Sequence, residues 1–159
     1  MAQAEGRSEM SGIEAEKLYE YTLQVTGMVE YGASFQDIIG GQSPPPPGGL
    51  RVDVAFDGPV TGRLSGSVVG VDYITIRADG RVDLDIKADI TTDDGEKIAL
   101  AASGVGIPQP GTPTALLREN VRLTTASEGY AWVNPLQIWG VGSVDFSTGK
   151  INVSAYLPK

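Results

Sequence analysis

The sequence predicts an all-β fold: a single-domain, antiparallel, up-and-down β-barrel of about eight strands. Three observations lead there. Glycine (21 residues) and proline (10) punctuate the whole 159-residue chain. No stretch keeps a helical period. Short segments of alternating polarity recur between turn signals instead. The length suits one domain with a core large enough to fold alone.

Residues 1–16, a polar stretch without an apolar signal-peptide core, read as a disordered leader, and the barrel is assigned to 17–159. Strand-like segments fall at about 17–26, 50–57, 62–69, 71–77, 81–92, 96–106, 117–125 and 136–157. The last holds two strands around a turn. The stretch 62–77 also reads as one strand bent at Gly70.

The clearest strand is "RVDLDIKADIT", with Val82, Leu84, Ile86, Ala88 and Ile90 on one face. Asp83, Asp85, Lys87, Asp89 and Thr91 occupy the other. Its flanking turns set a register. A three-residue loop, Ala78-Asp79-Gly80, places Ile76 opposite Val82 and keeps like faces together; a two-residue loop mixes them. Looping out Asp93-Asp94-Gly95 likewise pairs Ile90 with Ile98 and Ala88 with Leu100. Both turns call for a glycine in the left-handed region. Near the end, "STGK" is expected to pair Phe146 with Ile151, Val144 with Val153 and Val141 with Tyr156. Three hairpins in register make a meander, and a meander of this length tends to close on itself.

Two loops break the pattern. "GGQSPPPPGG" (40–49) is a semi-rigid extended segment at a barrel mouth, and "GIPQPGTPT" (106–114) is a second long loop. "GYAWVNP" (129–135) joins two strands. Pro135 biases Asn134 to an extended conformation. The segment reads first as a structural plug across one barrel end, with Trp132 as an apolar stopper and the Asn134 amide tying down backbone groups. The alternative is a recognition element at a cavity mouth, to which Tyr130 also belongs.

Composition narrows the chemistry. The 12 basic and 20 acidic residues give a net charge of -8, which opposes nucleic acid and anionic membrane surfaces. The chain has no cysteine, hence no disulfide or thiolate nucleophile, and no histidine, hence no serine–histidine triad or histidine-bound metal. The aspartates lack calcium-loop spacing, and "GRLSGSVVG" lacks the following helix of a phosphate site. Neither metal nor cofactor is expected. No apolar run reaches the roughly 18–20 residues of a membrane helix, and a cytoplasmic location is the default.

The two strand faces differ in kind. One is aliphatic; the other carries Tyr73, Asp83, Asp85, Lys87, Trp139 and Tyr156. In one reading the aliphatic face fills the barrel and the mixed face meets solvent. In the other the mixed face lines the lumen and the aliphatic face is covered by other subunits or by a loop; a homo-oligomer is expected. On the second reading Asp85 and Tyr73 form an acid/base pair, and Trp139, Tyr156, Trp132, Asn134 and Tyr130 line a ligand cavity.

The stretches "FDGPVTGRLSG", "ADGRVDLDIKADITTDDG" and "GYAWVNPLQIWGVG" resemble, in order and spacing, a family of bacterial and fungal barrels known as domain of unknown function thirty-two thirty-seven. The resemblance covers most of residues 17 to 157. It implies a single-domain antiparallel barrel, transfers no catalytic residue, and draws attention to Asp85, Trp132 and Asn134. "KIALAASG" departs from it with small apolar residues that leave room in the lumen.

The function expected is enclosure of a small apolar or aromatic molecule, extending to a cofactor-free isomerase, cyclase or lyase. A non-catalytic carrier or sensor with the same cavity is the alternative, so enzyme status stays open.

Overall fold

A computed structural model describes residues 12–159; the greater part of the expected leader lies outside the described residues. Eight antiparallel strands close into one barrel in sequence order, with β1 paired to both β2 and β8. They are β1 (Ala15–Glu30), β2 (Leu50–Gly62), β3 (Gly66–Ile76), β4 (Val82–Thr92), β5 (Lys97–Pro108), β6 (Thr114–Thr124), β7 (Ile138–Asp145) and β8 (Lys150–Pro158). The meander needs only hairpin connections, and closure leaves no sheet edge unpaired.

Within the stretch 62–77, Gly62 ends β2, residues 63–65 form a bent connection, and 66–76 run unbroken through Gly70 as one strand, β3. Gly70 lies within it opposite Ala88. A Cβ on Gly70 would lie 2.5 Å from both the Ala88 Cβ and the Lys87 carbonyl oxygen. The bare glycine therefore permits the close strand approach that barrel curvature requires.

The first two expected registers hold: Ile76 pairs with Val82, Ile90 with Ile98 and Ala88 with Leu100. Gly80 and Gly95 sit at φ 90° and 91°, in the left-handed region. The third hairpin differs by two residues. Val144 pairs with Ile151, Asp145 with Lys150, and Trp139 rather than Val141 with Tyr156. Gly149 N–H donates to the Asp145 carbonyl at 2.8 Å, and Ser147 N–H and Oγ both donate to the Asp145 carboxylate. These bonds stabilise a four-residue loop. A two-residue slip keeps every side chain on its face, and it frees Phe146 to fold over the barrel mouth.

The aliphatic face is the inside. Val82, Leu84, Ile86, Ala88 and Ile90 are all buried. The mixed face is outside, where Arg51–Asp53, Arg81–Asp83 and Lys87–Asp85 form ion pairs two residues apart along their strands. The aliphatic surface that suggested a covering subunit is thus enclosed by the chain itself.

Both ends are capped. At one, the β1–β2 connection forms a short helix, α1 (Phe35–Ile39), where the Ser34 hydroxyl accepts from Asp37 N–H at 3.2 Å. Sequence periodicity missed this single turn, which is too short to show a period. Phe35 is fully buried and meets Phe146 edge-to-face at 4.9 Å. At the other end the β6–β7 connection forms a 3₁₀ helix, Glu128–Val133. Its fully buried residue is Val133.

Candidate functional site

The lumen is divided. Toward the 3₁₀ cap it is packed solid with residues such as Leu64, Val68, Ile90, Ile98 and Val133, all 0–1% exposed. Toward α1 it holds a cavity of about 50 Å³, walled mostly by aliphatic side chains and closed by Phe35, Ile39 and Phe146. Small residues make the space: Gly106 and Ala115 both face it.

Two carboxyl groups, Asp72 and Glu119, interrupt this apolar wall. Asp72 continues the inward row Val68, Gly70, Asp72, Ile74 and Ile76 of β3; Glu119 continues Ala115, Leu117, Glu119, Val121 and Leu123 of β6. Glu119 is 7% exposed. It stands between glycines on both neighbouring strands, opposite Gly104 of β5 and Gly140 of β7. A Cβ on Gly140 would come within 3.0 Å of Glu119 Oε1, so the glycine makes the slot that holds the carboxyl.

Polar partners are few. The Tyr21 hydroxyl donates to Glu119 Oε1 across a long 3.5 Å. Asp85 backbone N–H donates to Asp72 Oδ1 at 3.0 Å. Tyr19, its ring 5.9 Å from that of Tyr21, buries its hydroxyl without a hydrogen-bond partner. A β-bulge between Lys17 and Tyr19 turns both Leu18 and Tyr19 inward.

Burial sets the electrostatics. Desolvation pushes the Asp72 carboxyl up to about 7, against the opposing pull of the Asp85 N–H bond. Desolvation, then the neighbouring Asp72 charge, pushes Glu119 up to about 7 as well. Burial, then the neighbouring Glu119 charge, raises both tyrosines. Such carboxyl groups can hold or release a proton near neutrality, as acid–base chemistry requires. Among the described residues no three metal-ligating side chains converge. No helix among them is long and apolar enough to cross a membrane.

None of the seven residues singled out from sequence lines this cavity. Asp85 points outward, its side chain 60% exposed and 3.1 Å from Lys87 Nζ. Tyr73 is also outside, beneath the Arg51 guanidinium at 5.1 Å. An enclosed Asp85–Tyr73 pair is therefore corrected: side chains alternate along a strand, and the aliphatic set took the inside. Trp139 and Tyr156 face each other on the outer surface of β7 and β8. Tyr130 and Trp132 belong to the 3₁₀ cap, and Asn134, expected to be extended before Pro135, instead closes that helix in the helical region at φ -61° and ψ -40°. Tyr130 donates to Asp94 at 2.8 Å, and Arg63 covers the Trp132 ring at 4.4 Å. The Asn134 amide bonds both Thr125 N–H (2.8 Å) and Thr125 carbonyl (2.9 Å), the tie to backbone expected of a plug.

The fold and lumen define a class: a closed eight-stranded antiparallel barrel with a small apolar cavity whose wall holds a buried glutamate and a partly buried aspartate. Within that class the chain belongs to the family described as protein of unknown function (DUF3237), whose model matches residues 38–156, in agreement with the motif resemblance. No protein with a curated description matches it.

Solved structures share the barrel. A conserved protein of unknown function from Rhodopseudomonas palustris (RPA1785) is 19% identical with a TM-score of 0.72, covering 92% of this chain and 98% of its own. A β-barrel-like protein from Acinetobacter baumannii (ABAYE2633) is 19% identical with a TM-score of 0.74, covering 92% and 96%. An enzyme from Penicillium herquei is 21% identical with a TM-score of 0.66, covering 92% and 95%. At these identities the likeness is one of fold.

Proposed function

We propose that the barrel binds a small, uncharged, apolar or aromatic molecule in its lumen and that Asp72 and Glu119 act on it as an acid–base pair. The observation that carries this reading is the placement of two carboxyl groups, each with a single hydrogen-bond donor, on the wall of an apolar cavity. A buried carboxyl without strong partners is costly to stability, and a bound ligand offers the missing partners.

The two environments suggest a division of labour. Asp72 receives a backbone N–H bond, which favours its ionised form. Glu119, deeper and held only by the long Tyr21 contact, favours the protonated form. Asp72 then takes a proton from a substrate carbon or hydroxyl while Glu119 gives its proton to a substrate oxygen. The electron pair released at the first centre moves through the substrate to the second. An isomerase, cyclase or lyase step balances in this way without an external oxidant or reductant. A protein of the same fold, the one from Penicillium herquei, is called an enzyme, which supports the catalytic reading.

The test is exchange in heavy water. Uncharged aryl ketones and phenols are incubated with the protein, and binding and deuterium uptake are followed together. The reading expects binding with uptake that is lost in Asp72→Asn. Binding without uptake identifies a carrier, and no binding to the lumen overturns the reading.

A further inference from the structure

Beyond the lumen lies a cleft of about 410 Å³, lined by Gln36, Asp37, Gln42, Thr112 and Ser147. Its floor is formed by Phe35, Ile39 and Phe146, the same three side chains that close the inner cavity. One aromatic contact, Phe35 on Phe146 at 4.9 Å, therefore separates two chambers of different character. The inner is apolar with carboxyl groups in its wall. The outer is open and mixed, with hydrogen-bonding side chains around an apolar floor.

The inner chamber alone is too small for an aromatic ligand. An apolar cavity of about 150 Å³ is what holds a benzene ring; this one measures about 50 Å³. Space for a ring must come from the partition. Both backbones are tied, Phe35 N–H to the Glu30 carboxylate at 2.6 Å and Phe146 N–H to the Pro113 carbonyl at 2.8 Å, but the Phe146 side chain is only partly buried whereas that of Phe35 is wholly buried, so the Phe146 ring is the movable half.

We infer that the outer cleft is a second subsite of one continuous site. The ligand is an elongated uncharged molecule whose apolar body displaces Phe146 to enter the lumen and whose hydrogen-bonding head stays among Gln36, Gln42, Thr112 and Ser147. Asp37 in the cleft and Asp72 and Glu119 in the lumen make both chambers unfavourable to anions. This inference rests on the lumen being the binding site.

Three uncharged probes separate the chambers: phenol, whose ring enters the lumen by displacing Phe146 and carries no head for the cleft, glucose, which has only a polar head, and 4-hydroxyphenyl β-glucoside, which spans both. Dissociation constants are measured by NMR titration. The glucoside is expected to bind about tenfold more tightly than phenol, equivalent to about 1.4 kcal/mol, and glucose alone is expected to show no saturable binding. Gln36→Trp, which fills the cleft, should bring the glucoside down to the level of phenol and leave phenol unchanged. Ala115→Leu, which fills the lumen, should weaken both by about tenfold or more. Phe146→Ala should tighten phenol binding; if that variant does not fold, Phe146→Leu serves. A glucoside no tighter than phenol, or a glucoside advantage that survives Gln36→Trp, overturns the second subsite while the lumen reading stands. Phenol that fails to bind, or binding by both probes that survives Ala115→Leu, removes the lumen reading and this inference with it.

Discussion

Asp85 and Asp72 are joined through the wall of the barrel: the backbone N–H of Asp85 donates to Asp72 Oδ1 at 3.0 Å, while the Asp85 carboxylate points the other way, to Lys87. The β3–β4 ladder pairs Asp72 with Ile86, then resumes at Thr75 with Asp83. In the gap a side-chain oxygen takes the place of a ladder carbonyl. A carboxyl built into the sheet's own hydrogen bonding is held in position, as a reacting group must be.

Replacing the outer carboxylate should do little. Asp85→Asn removes an exposed ion pair and leaves the backbone N–H in place, so stability should change by no more than about 0.5 kcal/mol. Urea denaturation at pH 7 checks this. A larger loss, or a change in ligand binding, would restore a role for Asp85.

Stability should fall as pH rises toward 7. Asp72 and Glu119 titrate at about 7 in the folded protein, above the usual carboxylate range. An unfolded chain releases these protons near pH 4. Between the two values the folded state holds more protons than the unfolded one, so stability declines across that window and levels off above it. Asp53, Asp94 and Asp145, whose carboxyls are held low by hydrogen bonds, act below the window and with the opposite sign. Urea midpoints from pH 5 to 8 should show the decline, and Glu119→Gln should flatten it and stabilise the protein at pH 8 by on the order of 1–3 kcal/mol. A variant slope equal to that of the unmodified chain contradicts the lumenal placement.

Gly70→Ala should destabilise the barrel by roughly 1–3 kcal/mol, the usual cost of overpacking. The new methyl meets backbone as well as the Ala88 side chain, so the strands must separate. Thermal melts measure the loss. A neutral substitution would mean that the approach of β3 to β4 is less close than described.

The 3₁₀ cap offers a graded series. Val133→Ala removes a fully buried stopper and should cost about 1–3 kcal/mol. Trp132→Ala loses a half-buried ring under Arg63 and should cost about 2–3 kcal/mol, below the full cost of a buried aromatic. Asn134→Ala breaks two bonds to Thr125 at an exposed position and should cost about 1 kcal/mol. Calorimetric melts rank the three. Asn134 as the costliest would show that the backbone tie, not packing, closes this end.

The strands, two of the three hairpin registers and the left-handed glycines were legible because each rests on local rules: period-two alternation, glycine conformation and loop length. The β7–β8 register was not, because the four-residue loop is set by hydrogen bonds to Asp145 that alternation does not encode. The acidic pair was half legible. The register that placed Ile76 opposite Val82 already put Asp72 on the aliphatic face, and Glu119 shares the parity of Leu117 and Val121. A charged residue at an inward position was the signal, and the aromatics of the mixed face drew attention from it.

The sequence by itself determined a barrel of eight strands and two chemically distinct faces, since alternation and turn chemistry act over a few residues. Only closure of the tertiary structure decided which face is inside, because apolar burial is a property of the whole sheet. Closure also brought β3 and β6, 47 positions apart between Asp72 and Glu119 (119 minus 72), to one cavity wall. Their raised proton affinities exist only there, where the aliphatic wall removes water from both carboxyl groups at once.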